Sequence, residues 1–255
     1  MYDNYFLKDI PARPAKPRDT GVTMVMDKGL SIRQLEDMIE ASGDYIDIVK
    51  LGWATSYVYP QLQRKLDILK EAKIPAYFGG TLFEAFTIRD QFSDYQKLLD
   101  KYDMEYAEVS DGSMIMDHDK KCEYIRTMAK QVTVLSEVGS KDAEKIIPPY
   151  KWIELMKAEL DAGAWKVIGE ARESGNVGLF RSDGEVRSGL VQEILTQIPA
   201  DKILWEAPQK EQQVFFIKLC GQNVNLGNIA TNEIIPLETI RLGLRSDTFD
   251  DYLTK

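Results

Sequence analysis

WKVIGEAR, residues 165–172, is the stretch that decides the fold. Val167 and Ile168 form a short apolar run, and the run closes on Glu170 and Arg172. The same shape recurs in YIDIVKLGW (45–53), VTVLSEVG (132–139) and KILWEAP (202–208). Short runs rich in Val, Ile and aromatic residues, bounded by polar ones, predict buried strands. Four more complete the series: GVTMVMD (21–27), IPAYFGG (74–80), MEYAEVSDG (104–112) and VNLGNI (224–229).

Helical spacing fills the intervals. Residues 30–42 place Ile32, Leu35, Met38 and Ile39 on one face, with Ser31 and Gly43 as caps. Residues 151–163 place Ile153, Leu155, Met156 and Leu160 likewise. Eight strand–helix units in 255 residues predict an α/β protein, a (β/α)8 or TIM barrel, rather than a doubly wound open sheet. Residues 20–255 read as one domain. Residues 1–19 read as an arm, because Pro11, Pro14 and Pro17 suit neither a helix nor a central strand. Its Tyr5, Phe6 and Leu7 are expected to dock on the body or on a neighbouring subunit. The tail 241–253 reads as a closing helix plus a terminal segment.

Composition narrows the function. Lys and Arg total 32 against 41 Asp and Glu, a formal charge of −9, which argues against a general nucleic-acid binder. Cys122 and Cys220 have no disulfide or metal spacing. His118 is the single histidine, so every mechanism that needs two is excluded. No stretch reaches the roughly 18 apolar residues of a membrane span, and no signal-peptide core is seen. A soluble, cytoplasmic protein is expected.

Barrel enzymes build their sites at the C-terminal ends of the strands. Reading each strand to its end gives Asp27 and Lys28, Lys50, Gly79 and Gly80, Glu108 and Asp111, Glu137 and Lys141, Glu170 and Arg172, Glu206, and Asn228. Wet loops explain some of these charges. They explain less well Lys50, Glu137, Glu170 and Glu206, which sit inside apolar stretches where an unpaired charge is costly. Carboxylates from several strands suit a hard divalent cation such as Mg²⁺, and Lys and Arg among them suit an anionic substrate. Two glycine-bearing loops, 173–180 and 226–240, could cradle phosphate, with Arg172 or Arg181 adding contacts. Trp53, Trp152, Trp165 and Trp205 read as packing residues, and DHDKK (117–121) as a solvated helix start.

The sequence resembles the phosphosulfolactate synthase family. The likeness is carried by MDKGL (26–30), GDYIDIVKLGWATS (43–56), GGTLFE (79–84), EVSDGS (108–113), SEVGSK (136–141), ESGNVGLF (173–180), EAPQKEQQ (206–213) and NLGNIATNEIIPLETIRLGLRSDTF (225–249). The resemblance implies a TIM barrel that requires Mg²⁺ and adds sulfite to phosphoenolpyruvate, giving (2R)-phosphosulfolactate. Such a lyase serves coenzyme M synthesis in methanogens and sulfolactate production in bacteria, as a compact homo-oligomer, a trimer. By this likeness Lys141 is expected to be the general acid, with Lys50 in reserve. Glu137, Glu170 and Glu206 are expected to hold Mg²⁺, directly or through water. Lys50 and Arg172 would bind sulfite or the substrate carboxylate. Gly175, Gly178, Arg181 and Asn228 would serve the phosphate. Two other readings stand beside it: a barrel enzyme for another phosphorylated acid, and a non-catalytic relative like the similar plant heat-stress-associated proteins.

Overall fold

The computed structural model describes residues 4–139, 147–171 and 174–253. Its strands are β1 (Thr23–Asp27), β2 (Ile48–Leu51), β3 (Ala76–Phe78), β4 (Tyr106–Val109), β5 (Thr133–Val138), β6 (Lys166–Gly169), β7 (Ile203–Glu206) and β8 (Leu226–Ile229). The helices are α1 (Ile32–Ser42), α2 (Thr55–Val58), α3 (Leu62–Glu71), α4 (Gly80–Thr87), α5 (Phe92–Lys101), α6 (His118–Met128), α7 (Pro149–Asp161), α8 (Ser188–Leu195), α9 (Lys210–Cys220) and α10 (Ile234–Arg241). All eight strands pair in parallel in the order β3-β2-β1-β8-β7-β6-β5-β4, a nearly closed TIM barrel. Only the β3–β4 seam lacks a described ladder.

Strand side chains alternate between two faces. One set fills the barrel: Val22, Met24, Ile48, Tyr77, Leu135, Ile168 and Leu204. The other set, Val25, Val49, Val134, Val167 and Ile203 among them, packs outward against helix residues such as Leu35, Phe83, Met156 and Phe216. Trp205 stacks on Phe216 with ring centroids 4.9 Å apart. Gly227 faces inward without a side chain, because Leu204 and Met24 occupy the place of its Cβ.

Ser31 caps α1 as expected, in a capping box with Gln34. On α7, Met156 is buried and Ile153, Leu155 and Leu160 pack against the core as their spacing predicts, with Trp152 and Glu159 buried beside them. One expectation is corrected. The closing helix is α10, and residues 242–253 form turns. The arm has no regular structure but is tied to the N-terminal end of the barrel. Arg13 bonds Glu238 at 3.0 Å and Asn223 at 2.6 Å, Lys16 bonds the Gly43 carbonyl at 2.9 Å, and Arg18 bonds Asp47 at 2.7 Å. Tyr5 and Phe6 stay 73% and 84% exposed. Among the described residues, no helix is long and apolar enough to cross a membrane.

Candidate active site

The site follows from strand periodicity. Two residues beyond the apolar layer, each strand presents its next inward side chain. Ile48 is followed by Lys50, Tyr106 by Glu108, Leu135 by Glu137, Ile168 by Glu170 and Leu204 by Glu206. All five charged residues are at most 5% exposed, and all line one cavity of about 400 Å³ at the C-terminal mouth. Met26, Trp53, Gly80, Thr81, Ser113, Ser174 and Asn228 complete the lining.

Lys50 is the cation that lines this cavity among the described residues. Its Nζ lies 3.0 Å from Glu108 Oε2, 3.3 Å from Glu206 Oε1 and 3.8 Å from Glu137 Oε2. Burial alone would lower the Lys50 pKa, but Glu108, Glu206 and Glu137 outweigh it and hold the ammonium well above its ordinary range. Burial raises Glu206 to about 7, against the pull of Lys50, with Glu137 and Glu108 adding to the rise. Glu206 Oε2 also accepts the Ala171 N–H at 3.0 Å. One carboxylate oxygen from each of Glu137, Glu170 and Glu206 lies within 4.8 Å of the other two. Three buried carboxylates so close repel one another, and an all-oxygen set of this kind fits a hard divalent cation.

Asn228 reaches the cavity through an irregularity in β8. The β1–β8 register shifts between Thr23 and Val25, and Asn228 takes φ +55°. A bulge of this kind re-aims a side chain. Gly227 and Asn228 therefore both face inward, and Ile229 returns to the outer core. Asn228 is 5% exposed, and among the described residues its Oδ1 has no hydrogen-bond partner. A buried amide oxygen without a partner is costly, so its position suits contact with a ligand.

The remaining expected residues are placed less centrally. Gly175 and Gly178 have φ of +65° and +63° and shape the loop after β6, where Gln212 holds the Gly175 carbonyl at 2.8 Å. Neither lines the cavity, whereas neighbouring Ser174 does. Arg181 pairs with Glu185 at 3.3 Å, both side chains exposed, away from the cluster. Asp27 faces outward, paired with Lys65 and accepting the Gly29 and Leu30 N–H groups. Lys141 and Arg172 lie outside the described residues.

Glu108 was visible as a strand-end charge but was not among the expected site residues. Its Oε1 accepts the Gly80 N–H at 2.7 Å while Oε2 faces Lys50. Trp53 lines the mouth and is 38% exposed, so it is not the packing residue expected, unlike Trp152 and Trp205 at 1% and 0%. The solvated reading of DHDKK also fails at Lys121, which is 1% exposed. Its ammonium pairs with Asp111 and Glu159, each at 2.9 Å, and bonds the Glu137 carbonyl. His118 reaches the same Glu159 oxygen at 3.2 Å.

A parallel eight-stranded barrel with a buried ionic cluster at its C-terminal mouth defines an α/β-barrel enzyme. Comparison with known proteins makes this specific. A sequence model of the (2R)-phospho-3-sulfolactate synthase (ComA) family matches residues 11–247, and the chain belongs to that family. A relative named phosphosulfolactate synthase from Bacillus subtilis (strain 168) is 42% identical over 249 residues, covering 96% of this chain and 99% of that one. Another of that name, from Methanothermobacter thermautotrophicus, is 41% identical, covering 93% and 95%. Among solved structures, 3-hexulose-6-phosphate synthase from Salmonella typhimurium superposes with a TM-score of 0.57 at 13% identity, covering 88% of this chain and all of that one. That likeness concerns the fold.

Proposed function

We propose that this enzyme adds sulfite to phosphoenolpyruvate with the help of Mg²⁺, giving (2R)-phospho-3-sulfolactate. The observation that carries the reading is the Glu137, Glu170 and Glu206 triad beside Lys50, at the mouth of a barrel that belongs to this family. In the reaction the sulfur lone pair forms a bond to C3. The C2–C3 π pair moves to C2 and is protonated there, and the phosphate stays on the C2 oxygen.

Glu137, Glu170 and Glu206 would hold the metal, with Glu108 engaged by Lys50 and Gly80. Bound there, Mg²⁺ would supply positive charge to the substrate's anionic oxygens. Lys50 supplies a fixed positive charge from the chain itself. With its pKa held so high, it retains its proton and is a poor acid. The family resemblance assigns the proton for C2 to Lys141. Asn228 offers its side-chain amide to an oxygen-rich ligand. The apolar layer under the cluster excludes water from below. The exposed Tyr5, Phe6 and Leu7, which line an open groove with Leu242 and Leu244, support assembly of further copies of the chain as a homo-oligomer.

Phosphorus NMR tests the reaction, with phosphoenolpyruvate, sulfite and Mg²⁺ present and each omitted in turn. A new phosphate-ester resonance that needs all three is expected. A folded protein that yields no sulfite-dependent product overturns the reading.

A further inference from the structure

Among the described residues, six that are not glycine have positive φ. Lys73, Asp90 and Asp103 follow helices α3, α4 and α5, and Asp9 lies in the arm. The other two, Trp53 at +52° and Asn228 at +55°, both line the mouth. Asn tolerates this region through its short side chain. A bulky aromatic does not, and its presence there is a genuine outlier.

The turn at Trp53 is tightly determined. Thr55 bonds the Gly52 carbonyl twice, from its N–H at 3.1 Å and its hydroxyl at 2.9 Å. The Gly52 N–H in turn bonds the Asp27 carbonyl at 2.8 Å. A Cβ on Gly79 would stand 3.3 Å from the Trp53 nitrogen and 3.1 Å from the Leu51 carbonyl, so the turn lies close against the end of β3. Glycine is the residue this backbone favours at position 53. The chain carries tryptophan instead, with its side chain on the cavity and only partly covered. Strain of this kind, held by its surroundings, gathers where a side chain meets a ligand. The Lys28 ammonium stands 5.8 Å from the indole centroid. It adds positive charge beside a lining that is rich in carboxylates, where a polyanionic substrate must enter.

We propose that Trp53 is a substrate-contacting wall of the mouth and that Lys28 beside it pairs with the anionic end of phosphoenolpyruvate. The proposal rests on the synthase reading for the identity of the ligand. Its test does not need the sulfite step. Of the four tryptophans, Trp152 and Trp205 are buried and Trp165 packs edge-on to Tyr106, so Trp53 is the reporter for the cavity. Titration of the Mg²⁺-supplemented protein with phosphoenolpyruvate, without sulfite, should change tryptophan emission, and Trp53→Phe should abolish that change. In steady state, Trp53→Gly and Lys28→Ala should each raise KM for phosphoenolpyruvate about tenfold with kcat little altered, the signature of lost ground-state binding. Trp53→Gly relieves the backbone, so this loss should appear in a folded protein.

No emission change in the wild type, a change that persists in Trp53→Phe, or an unaltered KM in both other variants overturns the wall. Binding that moves emission without any sulfite-dependent product leaves the wall standing and defeats the synthase reading. Product formed by the variants at normal KM defeats the wall alone.

Discussion

The ammonium of Lys121, on α6, lies 2.5 Å from the main-chain oxygen of Glu137, the β5 residue whose carboxylate enters the site. The same nitrogen holds Asp111, in the loop after β4, and Glu159, on α7. One buried cation thus ties three elements behind the cluster. Lys121→Met leaves the buried Glu159 carboxylate with only the His118 ring nitrogen beside it and should cost about 3–5 kcal/mol in urea unfolding. Combining it with Glu159→Gln should cost less than the sum of the single changes, because the two sites share one interaction.

Lys50→Met removes the charge that three carboxylates face. Turnover should fall roughly 10²–10³-fold, as when a donor is deleted from a preorganised site. The variant should also lose thermal stability more steeply than the wild type as pH rises from 6 to about 8: without Lys50 to pull it down, the Glu206 pKa rises above its value of about 7, and the folded protein keeps a proton that the unfolded chain has already lost. A variant with wild-type kcat would remove Lys50 from the mechanism.

For the carboxylate triad the expectation concerns metal binding. Mn²⁺ followed by electron paramagnetic resonance should titrate into the wild type. Glu137→Gln, Glu170→Gln and Glu206→Gln should each weaken it by at least the roughly 10–100-fold that losing an outer-shell partner costs. EDTA should stop turnover, and Mg²⁺ should restore it. Equal affinity in all three variants would place the metal elsewhere.

Lys166 opens β6 at the other end of the barrel, donating to the carbonyls of Asp19 at 2.8 Å and Asp201 at 2.6 Å. Burial lowers its pKa from 10.5 to about 8, with Asp19 and Asp201 opposing. The folded value is below the unfolded one, so between about pH 8 and 10.5 the unfolded chain binds more protons. Lys166 therefore contributes stability that rises with pH across this window. Lys166→Met should remove that rise, seen as a flatter difference between urea midpoints at pH 7.5 and 9.5.

The barrel and the centre of its site were legible because both obey a period of two. Lys50, Glu137, Glu170 and Glu206 each follow an inward apolar residue by two positions, which local sequence displays. Asn228 faces the cavity through a bulge in β8, which depends on how that strand meets β1. Trp53 depends on a backbone angle that its residue type disfavours. Lys121 looked solvated because its partners, Asp111 before the helix and Glu159 on the next one, meet it only in the fold. On α7, Glu159 turns inward beside the apolar stripe to meet the ammonium. Arg181 has the charge expected of an anion ligand, but it pairs with nearby Glu185 on the surface.

The unladdered seam between β3 and β4 has a mechanical consequence. It is clasped by side chains: Glu108 takes the Gly80 N–H, and Glu84 takes the Ser110 hydroxyl and the Ser113 N–H. Without main-chain rungs, this is where the hoop opens at least cost, so amide exchange should begin here. The clasp at Glu108 is also the carboxylate that faces Lys50. Whatever settles the charge of the chamber therefore tightens the hoop around it, and a ligand that quiets the cluster should slow exchange along the whole seam.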